Sequence, residues 1–63
     1  MTTTHNLENF MKHLAAVAKL DQHAKQCEEN AAIQRGEGNW KEADYNDGLA
    51  ASYRVAIEAL QAE

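Results

Sequence analysis

One break interrupts the chain, the segment Arg35-Gly36-Glu37-Gly38-Asn39, which holds two of its three glycines. On either side of it the sequence contains no proline and only one further glycine, at position 48. Proline and glycine are the residues that most strongly disfavour a helix interior, so both flanking segments are free to form long helices. The sequence therefore predicts an all-α fold, in which two helices fold back on each other as an antiparallel hairpin.

The residues of the break fit the end of one helix and the start of another. Gly36 or Gly38 can adopt the left-handed conformation that closes a helix. Asn39, with Glu42 three residues later, forms the pattern of a capping box, in which each side chain bonds a backbone N–H of the new helix. We expect helices over about 5–35 and 40–61, joined by a turn at 36–39, within a single domain of 1–63.

The start of the first helix is predicted from its capping residues. Thr4 and Asn6 are both competent N-caps, and Glu8 then lies in the first turn, where the helix dipole favours a negative charge. Residues 1–4 are therefore expected to form a flexible N-terminus.

The first helix carries two apolar faces. One occupies its N-terminal half, and the other is rotated from it by about 100° at 3.6 residues per turn. Two apolar faces on one helix indicate two neighbours. The first face consists of Leu7, Phe10, Met11, Leu14, Val17 and Ala18, and the second of Val17, Leu20, Ala24, Cys27 and Ala31.

The second helix has one main apolar face and a weaker one. The main face is expected to pack on the first helix, with Asn46 in the same sector. Its members are Ala43, Leu49, Ala50, Tyr53, Ala56, Ile57 and Leu60, whereas Trp40, Gly48, Ala51 and Val55 form the weaker face.

Helix length predicts self-association. The second helix is too short to reach the first turns of its neighbour, so large apolar side chains would stay in water unless another molecule covered them. A second copy of the chain would do so, and we expect a homodimer, arranged as a four-helix bundle. The predicted oligomer interface is Leu7, Phe10, Met11, Leu14 and Ala18.

Size and cysteine content point to the same need for a partner. The chain has 63 residues, near the size at which a single apolar core is marginal, and its one cysteine rules out an intramolecular disulfide. The N-terminus lacks the pattern of a signal peptide, and no stretch approaches the roughly 20 apolar residues that span a bilayer. We expect a cytoplasmic protein with no membrane contact.

Charge argues against nucleic-acid binding. The net charge is −4, with +1 in residues 1–27 and −5 in residues 28–63. Phosphate binding normally requires a basic face, and only Lys12, Lys19 and Lys25 could supply one. A nucleic-acid-associated transcriptional regulator is therefore an alternative rather than the leading interpretation.

The residues that could carry chemistry are sparse. His23 and Cys27 lie four apart and could share a metal ion, but two ligands complete a tetrahedral site only in a symmetric dimer. A dimeric metal-binding helical bundle is thus a second alternative, set against a packed cysteine and a surface histidine. Ser52 has no histidine at helical spacing, and no pocket is indicated for the carboxylates. We predict neither an enzyme nor a bound cofactor.

The leading hypothesis is a protein–protein interaction module. A tryptophan among acidic residues near the turn has the composition of a binding surface for another protein. A small chain of this kind would act as a regulator or inhibitor, of the type that phages and other mobile elements encode. The predicted partner-binding residues are Trp40, Asp44, Asp47, Gly48, Ala51 and Val55.

Overall fold

The structure is a computed structural model that describes residues 2–62, with side chains described from residue 7. It consists of two helices, α1 (Thr2–Gly36) and α2 (Trp40–Gln61). They pack against each other along the length of α2, and the Cα trace extends over 56 × 15 × 9 Å. The predicted all-α hairpin is confirmed.

The first helix begins earlier than its capping residues suggested. α1 is already helical at Thr2, so Thr4 and Asn6 lie inside it. The prediction relied on residue types that can cap a helix, yet no glycine or proline before Gly36 forces the helix to begin at either of them. Met1 lies outside the described residues.

The end of α1 is a Schellman motif formed by the backbone. Gly38 has a φ of 82°, the left-handed conformation. The Gly38 N–H donates to the Arg35 carbonyl at 3.2 Å, and the Asn39 N–H donates to the Gln34 carbonyl at 2.8 Å. These are the two bonds that define the motif, and they satisfy carbonyls that the end of the helix leaves without partners. Of the two candidate glycines, it is therefore Gly38 that reverses the chain.

Asn39 occupies the N-cap position of α2, but the predicted capping box is wrong. Its side chain makes no capping hydrogen bond. The Asn39 amide instead donates to Glu37 Oε1 at 3.5 Å, while the Asn39 carbonyl accepts the first helical bond of α2 from Ala43 at 3.0 Å. Because the Asn39 N–H is already bonded to Gln34, it is not available for Glu42 to cap.

The two helices meet along a seam with coiled-coil spacing. On each helix the seam positions alternate by three and four residues, as they do in a heptad repeat. Both faces that the sequence assigned to this contact are buried or half-buried. The seam consists of Val17, Leu20, Ala24, Cys27, Ala31 and Gln34 in α1, and of Ala43, Asn46, Ala50, Tyr53, Ile57 and Leu60 in α2.

Small residues dominate the buried part of the seam. Ala24, Ala31, Ala43 and Ala50 are each at most 3% exposed, and Ile57 is the one larger buried side chain among the described residues. Alanine permits a close approach of the two helices, but it buries little apolar area per residue. The hairpin therefore has a thin core.

Candidate interaction surfaces

The N-terminal part of α1 extends beyond the end of α2. At 1.5 Å per residue, the 35 residues of α1 span about 52 Å and the 22 residues of α2 about 33 Å. Arg54 of α2 bonds to Asp21 and Glu28 of α1, and α2 ends at Gln61, about two turns later. α2 therefore ends before it reaches the first third of α1.

Four of the eight large apolar side chains that are exposed in the described residues lie together at this end of α1. Leu7 is 58% exposed, Phe10 57%, Met11 59% and Leu14 48%. Ala18 is exposed on the same side. We call these five residues the overhang surface, in which Ala18 lies beside the last turns of α2 and continues the same apolar side. Apolar side chains gathered in this way on one face are typical of an interface.

The predicted partner-binding residues form one exposed stripe on α2, which we call the turn face. They follow helical spacing from Trp40 to Val55, on an exposed side of α2 outside the seam. Trp40 is 59% exposed and Val55 63%. A Cβ added at Gly48 would meet no atom within 4 Å, so the stripe is open at that point. The other members are Asp44, Asp47 and Ala51.

Arg35 joins the turn face from the other helix. Its Nη2 lies 3.0 Å from Asp44 Oδ1 and 3.0 Å from Asp47 Oδ2, and its guanidinium carbon lies 5.9 Å from the centre of the Trp40 ring. The hydrogen bond to Asp47 raises the pKa of Arg35 above its ordinary value, and Asp44 adds to the effect. The turn face is thus less acidic than its own residues indicate, and its tryptophan lies beside a cation.

A second arginine links the helices on the same side of α1 as the overhang surface. The Arg54 guanidinium donates two hydrogen bonds to Glu28, from Nη2 to Oε1 at 2.9 Å and from Nε to Oε2 at 3.3 Å. Its Nη1 donates to Asp21 Oδ1 at 2.7 Å. Lys25 bonds the other oxygen of Asp21 at 3.1 Å. Hydrogen bonding from Arg54, followed by that from Lys25, lowers the pKa of Asp21. We call these four residues the Arg54 cluster.

Sequence reasoning missed the roles of both arginines. It considered Lys25 only as a possible contact to nucleic acid, and it assigned no role to Asp21 or Glu28. The available signal was the antiparallel fold, because counting back from the turn places residue 35 opposite 40 and residue 54 opposite 21, within one to two helical turns of the carboxylates at 44, 47 and 28.

His23 and Cys27, the candidate metal ligands, lie in different surroundings. The His23 ring stacks on Tyr53 of α2, with ring centres 5.5 Å apart and an angle of 21° between planes. Cys27 is a half-buried free thiol in the seam. Within the described residues, no group of three or more histidine, cysteine, aspartate or glutamate side chains could hold a metal ion.

Two other features of the described residues bear on the partner. Neither helix is long and apolar enough to cross a membrane. Among the lysines considered for nucleic-acid contact, Lys25 is engaged with Asp21, and Lys12 and Lys19 are exposed on α1.

Comparison of the chain with protein-family models, with curated proteins and with solved structures finds no match in any of the three.

Proposed function

We propose that this chain is a non-enzymatic protein–protein interaction module that works as a homodimer. The overhang surface binds a second copy, so that the dimer contains four helices. The turn face binds another protein, which the module regulates or inhibits.

The observation that carries the proposal is the exposure of the overhang surface. Four large apolar side chains remain about half in water, whereas the buried core of the hairpin consists mainly of alanine. Removing apolar surface from water contributes roughly 25 cal/mol per Å². Covering the overhang surface would therefore add more apolar burial per residue than the alanine seam provides.

The total surface area supports the same conclusion. A compact monomer of 7.0 kDa is expected to expose about 4,000 Å², and this chain exposes 4889 Å². The excess is similar to the roughly 800 Å² that each partner buries in a protein–protein interface of standard size.

Sedimentation equilibrium tests the dimer. At micromolar concentration the chain is expected to sediment at about twice its mass of 7.0 kDa. Leu14→Arg, which places a charge in the overhang surface, is expected to shift the equilibrium to monomer with little loss of helicity. A monomer at all accessible concentrations would refute this part of the proposal.

The turn face supports binding of a second protein because its anchor is held in place. Tryptophan and arginine are the residues most enriched at binding hot spots. Here the Arg35 guanidinium lies beside the Trp40 ring and is itself held by two carboxylates. A side chain already ordered before binding loses less entropy when a partner binds.

Affinity capture from a lysate of the source organism, followed by mass spectrometry, tests the turn face. Trp40→Ala is expected to lose the captured protein while retaining the helicity and dimer mass of the wild type. Tyr45→Ala is the matched control, since Tyr45 is also an exposed aromatic on α2 and lies outside the stripe. The turn face is the wrong surface if Trp40→Ala captures the same protein as the wild type.

A further inference from the structure

One side of α1 is apolar in the N-terminal overhang and charged further along, beside α2. Five helical turns of 3.6 residues contain 18 residues, so two residues 18 apart lie on one line parallel to the helix axis. The overhang therefore shares its side of α1 with residues beside the hairpin body. The same lines carry, 18 residues after Leu7, Phe10, Met11 and Leu14, the residues Lys25, Glu28, Glu29 and Ala32, respectively.

The charged part of this side is already engaged within the hairpin. Glu28 is bonded twice by Arg54, and Lys25 is bonded to Asp21. A second hairpin lying alongside the full length of this one would remove these ion pairs from water, and the desolvation cost of buried ions often exceeds their mutual attraction. The charged residues therefore mark where an apolar contact with a second copy must end.

The overhang surface has the spacing that a two-fold contact requires. Leu7 and Leu14 lie equally far from the midpoint between Phe10 and Met11, three residues beyond each. In a two-fold interface, each surface must complement itself. When two such helices run antiparallel about this midpoint, each Leu7 lies level with Leu14 of the second copy, and both Phe10–Met11 pairs meet at the centre.

We propose that the second copy binds overhang to overhang, antiparallel, with the two-fold axis between Phe10 and Met11. The two hairpin bodies then point in opposite directions, and the Arg54 clusters stay in water. A parallel pairing would bring the two bodies side by side and place their charged faces together. This proposal rests on the dimer proposed above, and it selects the end-to-end arrangement over the side-by-side four-helix bundle.

Two arginine substitutions on one line of α1 distinguish these arrangements. Leu14 and Ala32 lie five turns apart on the same side, and both are exposed. In the end-to-end dimer, Leu14→Arg is expected to weaken association by about 30-fold or more, and Ala32→Arg to change it by less than about twofold. In a side-by-side bundle both substitutions fall within the interface, so an equal loss in the two variants would overturn the proposal. Circular dichroism establishes that each variant remains helical.

Small-angle X-ray scattering of the wild-type dimer provides a second, independent readout. The end-to-end arrangement predicts a maximum dimension of about 80 Å, because each turn lies some 27 residues from the two-fold axis at 1.5 Å per residue. A side-by-side bundle would stay close to the 56 Å length of one hairpin.

Sedimentation and scattering together distinguish a failure of the end-to-end arrangement from a failure of the dimer itself. A sedimenting dimer with the shorter dimension overturns the end-to-end arrangement and leaves the dimer intact. A monomer overturns the dimer itself. Assemblies that grow beyond two copies would also contradict the proposal, because a two-fold contact closes at a dimer.

Discussion

At the scale of single residues, the turn depends on one backbone angle. Gly38 is the one position within residues 2–62 with a positive φ, at 82°. A residue with a Cβ is strained there, because the left-handed conformation brings that atom too close to the following carbonyl oxygen. Gly36, two residues earlier, is the last residue of α1 and has an ordinary helical conformation. The two glycines therefore serve different purposes.

Alanine substitution should separate the two glycines. Gly38→Ala is expected to destabilise the fold by about 1–2 kcal/mol, the cost of one left-handed residue. Gly36→Ala is expected to stabilise it by about 0.4–1 kcal/mol, because alanine loses less conformational entropy on folding and the added Cβ meets nothing within 4 Å. Urea titration followed by circular dichroism measures both changes. Equal effects in the two variants would contradict the Schellman geometry of the turn.

Residue types alone predicted where the turn lies but not which atoms close it. Both glycines and Asn39 were identified, yet the capping box was wrong because backbone bonds from Gly38 and Asn39 satisfy the end of α1. A sequence pattern identifies groups able to hydrogen-bond, whereas the backbone angles decide which of them do. We accordingly expect Asn39→Ala to cost less than a true N-cap substitution would.

At the scale of helices, regular spacing was enough to predict the hairpin seam. Alanines, Ile57 and their half-buried neighbours recur every three or four residues, and this periodicity depends only on helix geometry. The ion pairs of Arg35 and Arg54 were not predicted, because contacts between helices depend on their register. A shift of one residue would rotate each arginine by about 100° and move it away from its carboxylates.

The Arg54 cluster makes stability depend on pH. The pKa of Asp21 is lowered from its ordinary value of 3.8, chiefly by the hydrogen bond from Arg54. A depressed carboxyl pKa contributes stability above the pKa of the unfolded chain, and this contribution disappears as the pH falls through the folded value. We therefore expect the melting temperature to fall as the pH is lowered from about 5 to about 3.

Matched variants assign that dependence to Asp21. Asp21→Asn should melt with a smaller change over the same pH range, because its side chain has no charge to lose. Glu58→Gln removes one negative charge from α2 outside the cluster and should follow the wild type. If Asp21→Asn kept the full dependence on pH, another carboxyl group would have to be responsible.

At the scale of the whole molecule, the hairpin is long, thin and apolar at one end. Its fully buried core is mainly alanine, and four of the eight large apolar side chains that are exposed in the described residues lie on the overhang surface. The sequence predicted this surface because the two helices differ in length and α1 has two apolar faces. It could not identify what covers the surface, since the complementary half of an interface belongs to another molecule.

The central claim is that a second copy completes the stability of this chain, and the concentration dependence of thermal melting tests it most directly. Folding and association are linked by mass action, so the melting temperature of the wild type should rise over a roughly hundredfold increase in concentration. Leu14→Arg should melt at a lower temperature that does not change with concentration. A wild-type melting temperature that is the same at every concentration would contradict the account.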